Sequence, residues 1–301
     1  MSYPSPEILP IAPTWRDYLE LTKPRVVALI MLTAVVGTLL ATPGVPPLNA
    51  LILGNLGIAL AAASTAAVNH VLDSHIDAQM RRTRARPLPT GHMTAGRALA
   101  FALILGVASM TLLLAFVNVL TAVLAFCSLI LYAVIYTVWL KRATPQNIVI
   151  GGAAGAAPPV LGWVAVTNHV DAHALLLFMI IFAWTPPHFW ALAIARRKEY
   201  AKVHIPMLPV THGVELTRLH VLLYTVILCV VTLLPAMTGM SGLIYLAAAL
   251  ALNARFLWFA IALKVTRRDD LPMRVFHYSI SYLMWLFLAL LVDHYLHVGV
   301  I

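Results

Sequence analysis

Three oxygen-bearing side chains recur at every fourth residue in Asn69-His-Val-Leu-Asp73-Ser-His-Ile-Asp77. On an α-helix a step of four advances about 40° around the axis and about 6 Å along it, so the three share one stripe. Two carboxylates at that spacing repel each other mildly, and a divalent cation between them reverses the sign. Magnesium takes hard oxygen ligands, keeps several waters, and is commonly held by one or two carboxylates together with a substrate phosphate. Asp73 and Asp77 are the only acids four residues apart in the chain. A helix end whose polar residues are merely solvated leaves that spacing unexplained. We therefore read Asn69, Asp73 and Asp77 as metal ligands, and the two aspartates as catalytic.

Arg81-Arg-Thr-Arg-Ala-Arg86-Pro-Leu-Pro-Thr-Gly91 follows at once, with four guanidinium groups in six residues. Arginine forks match phosphate oxygens two at a time and neutralise charge growing on a departing diphosphate. Arg82 and Arg86 are the diphosphate-binding candidates. Lys141 and Arg142, in the next basic loop, either reach the same phosphate group or serve membrane topology alone.

A later loop echoes the first. Laying Arg81-Arg82 over Arg196-Arg197 brings Asp73 onto His188 and Asp77 onto Leu192, and the only acid there is Glu199, a third catalytic candidate. Glu199 and Tyr200 are also the candidates for a general base. Just before them, Trp184-Thr-Pro-Pro-His188-Phe-Trp190 carries two prolines that predict a broken helix with free carbonyls beside a cavity. Trp184 and His188 would rim an apolar pocket for a flat aromatic substrate, with His188 the chosen one of several histidines able to ligate haem iron. The same residues also fit an aromatic interface belt with a satisfied histidine.

The elements that must position these groups are membrane helices. Hydrophobic residues make up 61% of the chain and charged residues only 10%, with a mean hydropathy of +0.90, far from an ordinary soluble domain. Apolar stretches of spanning length run at about 26–41, 48–68, 98–116, 119–140, 147–166, 174–194, 219–236, 243–263 and 275–295. All Lys and Arg residues except Arg255 fall in the N-terminal segment or in the loops after the second, fourth, sixth and eighth stretches. By the positive-inside rule the N-terminus is then cytoplasmic and the C-terminus periplasmic. That distribution accounts for the net charge of +9 and removes the need for a nucleic-acid partner. Arg255, mid-way through the eighth stretch, should face a partner or a wet cavity. Cys127 and Cys229 read as small buried hydrophobes. Thr14-Trp-Arg-Asp17 fits a capping box opening a short helix on the membrane surface. Residues 1–14 carry neither a signal-peptide nor a transit-peptide pattern, which favours a bacterial inner membrane.

Taken together, Asp17 to Arg25, Asn69 to Asp77, Met80 to Pro89, Lys141 to Gly152, Trp184 to Trp190 and Ile205 to Pro209 resemble the UbiA-type membrane prenyltransferases, and within them the haem-farnesylating branch. The resemblance implies an all-α fold of nine transmembrane helices around a central cavity open to lipid. It implies one domain over 1–301, with 1–24 as a cytoplasmic or interfacial N-terminal segment. It also implies magnesium as cofactor and farnesyl diphosphate and haem B as substrates. The product would be haem O for terminal oxidases, with a haem A synthase or oxidase assembly factors as possible partners. Most of the superfamily has two acids four apart in the second loop, and this chain resembles the haem branch in keeping one, Glu199. Prenylation of 4-hydroxybenzoate or another quinone precursor is the rival enzyme reading. A divalent-cation transporter is the rival from another class, though its coupling residues belong near the midplane on broken helices rather than at a helix end. A structural haem-binding subunit would leave the Arg–Asp array unused.

Overall fold

The computed structural model describes residues 12–297, and among them every regular element is helical. The short helix α1 (Trp15–Leu21) opens at Thr14, whose N–H and hydroxyl both donate to the Asp17 carboxylate, at 2.7 and 2.8 Å. The expected capping box is present. The chain then turns by 52° into α2 (Pro24–Leu40). Lys23 makes that turn at φ 51°, a left-handed conformation unusual for lysine, and Pro24 supplies the first helical residue, where its missing N–H costs nothing.

Eight further helices are long and apolar enough to cross a membrane: α3 (Asn49–Gln79), α4 (Ala95–Phe116), α5 (Val119–Ala143), α6 (Asn147–Thr167), α7 (Ala172–Ala195), α10 (Val214–Met237), α11 (Leu243–Val265) and α12 (Leu271–His297). Taken as one bent span, α1 and α2 together bring the described residues to the nine expected spans. Two short helices, α8 (Arg197–Lys202) and α9 (Leu208–Thr211), lie in the loop between α7 and α10.

Small residues let the central helices approach closely. A Cβ at Gly37 of α2 would sit 2.2 Å from the Pro159 carbonyl oxygen of α6, and one at Gly162 of α6 would sit 2.1 Å from that of Ala34. Backbone therefore packs on backbone between α2 and α6, the device of tightly associated membrane helices. Helix α6 lies in turn against α7, which contacts α10 and α12. The main core runs through α6, α7, α10, α11 and α12, with Trp190, Tyr245, Phe256, Tyr282 and Phe287 fully buried in it.

Two expectations change here and a third is met in an unexpected way. Helix α7 runs unbroken through Pro186 and Pro187, and α6 likewise through Pro158 and Pro159. Each proline removes one i→i−4 bond, but close neighbours hold the helix and can re-satisfy freed carbonyls. The Ser128 hydroxyl does so for Ala154, at 3.4 Å. Cys127 is exposed rather than buried, and Cys229 is half-buried, because both fall on outward faces of their helices. Arg255 is exposed, and its guanidinium lies over the Tyr278 ring at 5.2 Å. The partner expected for it is an aromatic face.

The last part of α5, Leu131–Leu140, is wound as a π-helix, with the Thr137 hydroxyl donating to the Tyr132 carbonyl five residues back at 2.8 Å. A winding closed five residues apart stacks positions four and five apart. Thr137 and Lys141 thereby meet the polar residues of α3, while Tyr132 and Tyr136 turn into the space between α3 and α6.

Candidate functional site

The polar stripe predicted on α3 exists and is buried: Asn69, Asp73 and Asp77 are 5%, 4% and 5% exposed. The Asn69 amide donates to Asp73 Oδ2 at 2.8 Å and lies 3.3 Å from the Thr137 hydroxyl. Three cations from three separate segments converge on it. Lys23 Nζ donates to Asn69 Oδ1. Lys141 Nζ meets Asp73 Oδ2 at 2.6 Å, and Arg86 meets Asp77 Oδ2 at 2.5 Å. Thr83 ties the arginine loop to the helix by donating to the Asp77 carbonyl at 3.0 Å.

Two negative charges thus face three positive ones in a mostly buried place. Burial, with Arg86 next to it, pushes the Lys23 ammonium down to about 7. An anion arriving here would relieve that crowding. Asp73 Oδ1 is buried with no hydrogen-bond partner among the described residues, an unusual condition for a carboxylate oxygen. That free oxygen, the neighbouring Asp77 and the Asn69 carbonyl are the donor set magnesium prefers. Among the described residues no three His, Cys, Asp or Glu side chains gather into a metal cage. The fit is therefore to a cation that keeps waters and shares its coordination with a bound phosphate.

Two cavities open from this array and share Lys23, Arg25 and Val26. The first, about 530 Å³, is an apolar chamber between α2, α3, α5, α6, α7 and α12. Tyr132 and Tyr136 line it on one side, their rings 5.2 Å apart, and Trp184, His188 and Phe276 line it on the other. Val26 and Phe189, both exposed on the outside of the bundle, also border it, so the chamber reaches the lipid-facing surface. The second, about 560 Å³, is basic, lined by Arg16, Lys23, Arg25, Arg82 and Arg86 with Glu20 and the buried His70.

The sequence candidates separate accordingly. Asn69, Asp73, Asp77, Arg86 and Lys141 are together in one hydrogen-bonded array, and Arg82 lines the adjoining basic cavity. Trp184 and His188 are on the chamber wall. Glu199, on α8, pairs with Arg196 at 3.3 Å and keeps Oε2 buried with no partner among the described residues. Its neighbour Tyr200 is buried, which raises the phenol, while Arg82 and Arg196 draw it back. The second loop therefore sits close to Arg82. Arg142 is exposed and makes no ion pair with the stripe. Residues that reasoning on sequence passed over are Lys23, which reads as one more topological charge, and Tyr132, Tyr136 and Thr137, which only the π winding aims inward. A lysine held before a helix-starting proline is the one available signal for Lys23.

A family model, the UbiA prenyltransferase family, matches residues 30–291. The chain is 61% identical over 283 residues to a protoheme IX farnesyltransferase of Methylococcus capsulatus, covering 94% of this chain and 95% of that one. It is 60% identical over 288 residues to protoheme IX farnesyltransferase 1 of Pseudomonas paraeruginosa, covering 94% and 95%. Among solved structures, a digeranylgeranylglyceryl phosphate synthase superposes with a TM-score of 0.79 at 18% identity, over 93% of this chain and 98% of that one. A UbiA homologue from Archaeoglobus fulgidus, bound to DMAPP and Mg2+, gives 0.64 at 15% identity, over 91% and 99%. With up to nine apolar spans among the described residues, a cavity bordered by the lysine that bonds the Asn–Asp–Asp stripe, and a family match over residues 30–291, the chain belongs to the UbiA prenyltransferase family.

Proposed function

We propose that this protein transfers the farnesyl group of farnesyl diphosphate to a vinyl group of haem B, with addition of water, to give haem O. The observation that carries the reading is a cation-ringed carboxylate stripe joined, through the Lys23–Asn69 hydrogen bond, to a greasy chamber whose far wall bears His188 and Trp184. The names of the relatives, farnesyltransferases of protoheme IX at about 60% identity, support the same acceptor and donor.

Asn69, Asp73 and Asp77 would hold magnesium, which would neutralise diphosphate oxygens as the bond to farnesyl carbon one breaks. Arg86, Lys23 and Lys141 add fixed positive charge where the leaving group's negative charge grows, so the electron pair departs with the diphosphate at lower cost. Arg82 receives phosphate oxygens in the adjoining cavity. The farnesyl chain lies in the apolar chamber, whose walls keep water from the allylic cation. The vinyl group of haem supplies the electrons of the new carbon–carbon bond, leaving positive charge on the carbon next to the porphyrin. Water adds there and loses a proton, giving a hydroxyethylfarnesyl arm. Glu199 and Tyr200 are the groups proposed to take that proton. His188 and Trp184 contact the haem.

The protein would reside in a bacterial inner membrane with its N-terminus cytoplasmic and its C-terminus periplasmic, passing haem O toward a haem A synthase or oxidase assembly factors. Competition between acceptors tests the reading. Purified protein with magnesium and farnesyl diphosphate is offered haem B and 4-hydroxybenzoate together, and the products are weighed by mass spectrometry. The expected product is haem carrying a farnesyl group plus one water, with 4-hydroxybenzoate unchanged; farnesylated hydroxybenzoate alone would overturn it.

A further inference from the structure

Serine 279, on α12, is fully buried and belongs to none of the diphosphate-binding elements. Its hydroxyl donates to the Phe276 carbonyl one turn back, at 2.7 Å, so its single proton is committed there. The same oxygen lies 2.7 Å from Nδ1 of His188, across from α7. A hydroxyl whose proton is already given away can only accept from that nitrogen. With the Ser279 proton on the Phe276 carbonyl, His188 Nδ1 is assigned the proton that this oxygen accepts, and in the neutral imidazole Nε2 then holds the lone pair.

The ring's orientation is fixed as firmly as its tautomer. Trp184 stacks on one face at 4.2 Å and 19°, and Phe276 on the other at 4.6 Å and 28°. Trp184 is itself anchored, its indole N–H donating to the Ser279 carbonyl at 2.7 Å. Both faces are covered, Nδ1 is tied to α12 and the Phe189 ring meets an edge of the imidazole at 5.1 Å and 85°, while Nε2 has no hydrogen-bond partner among the described residues. His188 lines the apolar chamber. A neutral nitrogen lone pair presented to a greasy cavity, on a ring locked by stacking and by a partner on its other nitrogen, is the arrangement of a metal-ligating histidine with its outer-shell support.

We infer that Ser279 is a positioning residue that holds His188 in the Nδ1–H tautomer so that Nε2 ligates the iron of the haem acceptor. The inference rests on the reading that haem enters the chamber, and it adds how the acceptor is oriented. No proton moves on binding: the imidazole nitrogen donates its lone pair to iron, and the Ser279–His188 hydrogen bond persists. Iron held at a fixed nitrogen limits the porphyrin to rotations about that bond, which is the freedom needed to bring one vinyl edge toward the Asp73 end.

The test is the optical and EPR spectrum of ferric haem bound to the purified full-length protein, recorded beside farnesylation of the same samples. The wild type is expected to show histidine-ligated iron, and His188→Ala to lose that signature. Ser279→Ala, which deletes the hydroxyl without adding bulk, should weaken haem binding about 10-fold, within the range for losing a ligand's outer-shell partner, and alter the ligand-field spectrum. Ser279→Thr, whose hydroxyl can bond the same carbonyl in a helix, should restore both. A Ser279→Ala protein with the wild-type spectrum and haem affinity would overturn the inference, as would a His188→Ala protein that keeps the histidine signature. Failure of the wild type to farnesylate haem, with the spectral effects intact, would instead count against the proposed reaction and leave the Ser279–His188 assignment standing.

Discussion

Lys141 and Asp73, 68 residues apart in the chain, meet at 2.6 Å, while the other oxygen of the same carboxylate is buried without a partner among the described residues. One half of Asp73 is neutralised within the fold and the other half is not. Leaving a buried acceptor unsatisfied costs roughly 1–3 kcal/mol, a cost explained if Oδ1 serves a bound cation. Replacing Asp73 by Asn should lower turnover about 10²- to 10³-fold, the size of removing one preorganised electrostatic group. Haem affinity should change little, because His188 stands on a different wall. Steady-state rates beside a haem titration check both halves, and near-normal turnover would make the stripe structural.

Lys23 is expected to act on the donor substrate. It touches Asn69 and lies between the apolar and basic cavities. Lys23→Ala should cut kcat/KM for farnesyl diphosphate by roughly 10- to 100-fold, the worth of one charged hydrogen bond. Lys23→Arg should recover part of it. An unchanged kcat/KM in the alanine variant would return Lys23 to a purely topological role.

Gly155 lines the chamber, and a Cβ there would meet nothing within 4 Å. Gly155→Leu should therefore fold normally and intrude on the prenyl chain. Farnesyl transfer is expected to fall more than transfer from the shorter geranyl diphosphate. Equal losses with both donors would place the chain elsewhere.

Close approach of α2 and α6 gives a stability prediction. Gly162→Ala forces a Cβ against the Ala34 carbonyl, and overpacking of this kind costs about 1–3 kcal/mol. Gly96→Ala, at a position with open space, is the control. Thermal unfolding in detergent should show a lower midpoint for the first and none for the second.

How much of this the sequence disclosed depends on whether the signal is local. Asn69, Asp73 and Asp77 declare themselves because helical spacing alone sets them on one face, and the alternation of basic loops sets the spans. Arg86 and Lys141 were legible as neighbours of that stripe, although only packing shows which carboxylate each one meets. The prolines of α7 misled because local chemistry forecasts a break that close helix packing overrides. Tyr136 and Thr137 were hidden by the π winding, which shifts the facing residues away from the ordinary helical period. Ser279 lies 91 residues from His188, and no periodicity joins two helices that distant in sequence.

The most direct measurement of the central claim is the mass of the haem product formed by the purified protein from haem B, farnesyl diphosphate and magnesium in water enriched in oxygen-18. A cation released at the Asp73 end, captured first by a haem vinyl carbon and then by water, predicts haem carrying one farnesyl group and one heavy oxygen. Farnesol containing the heavy oxygen, with haem unchanged, would contradict the account, because water rather than haem would then have met the cation first.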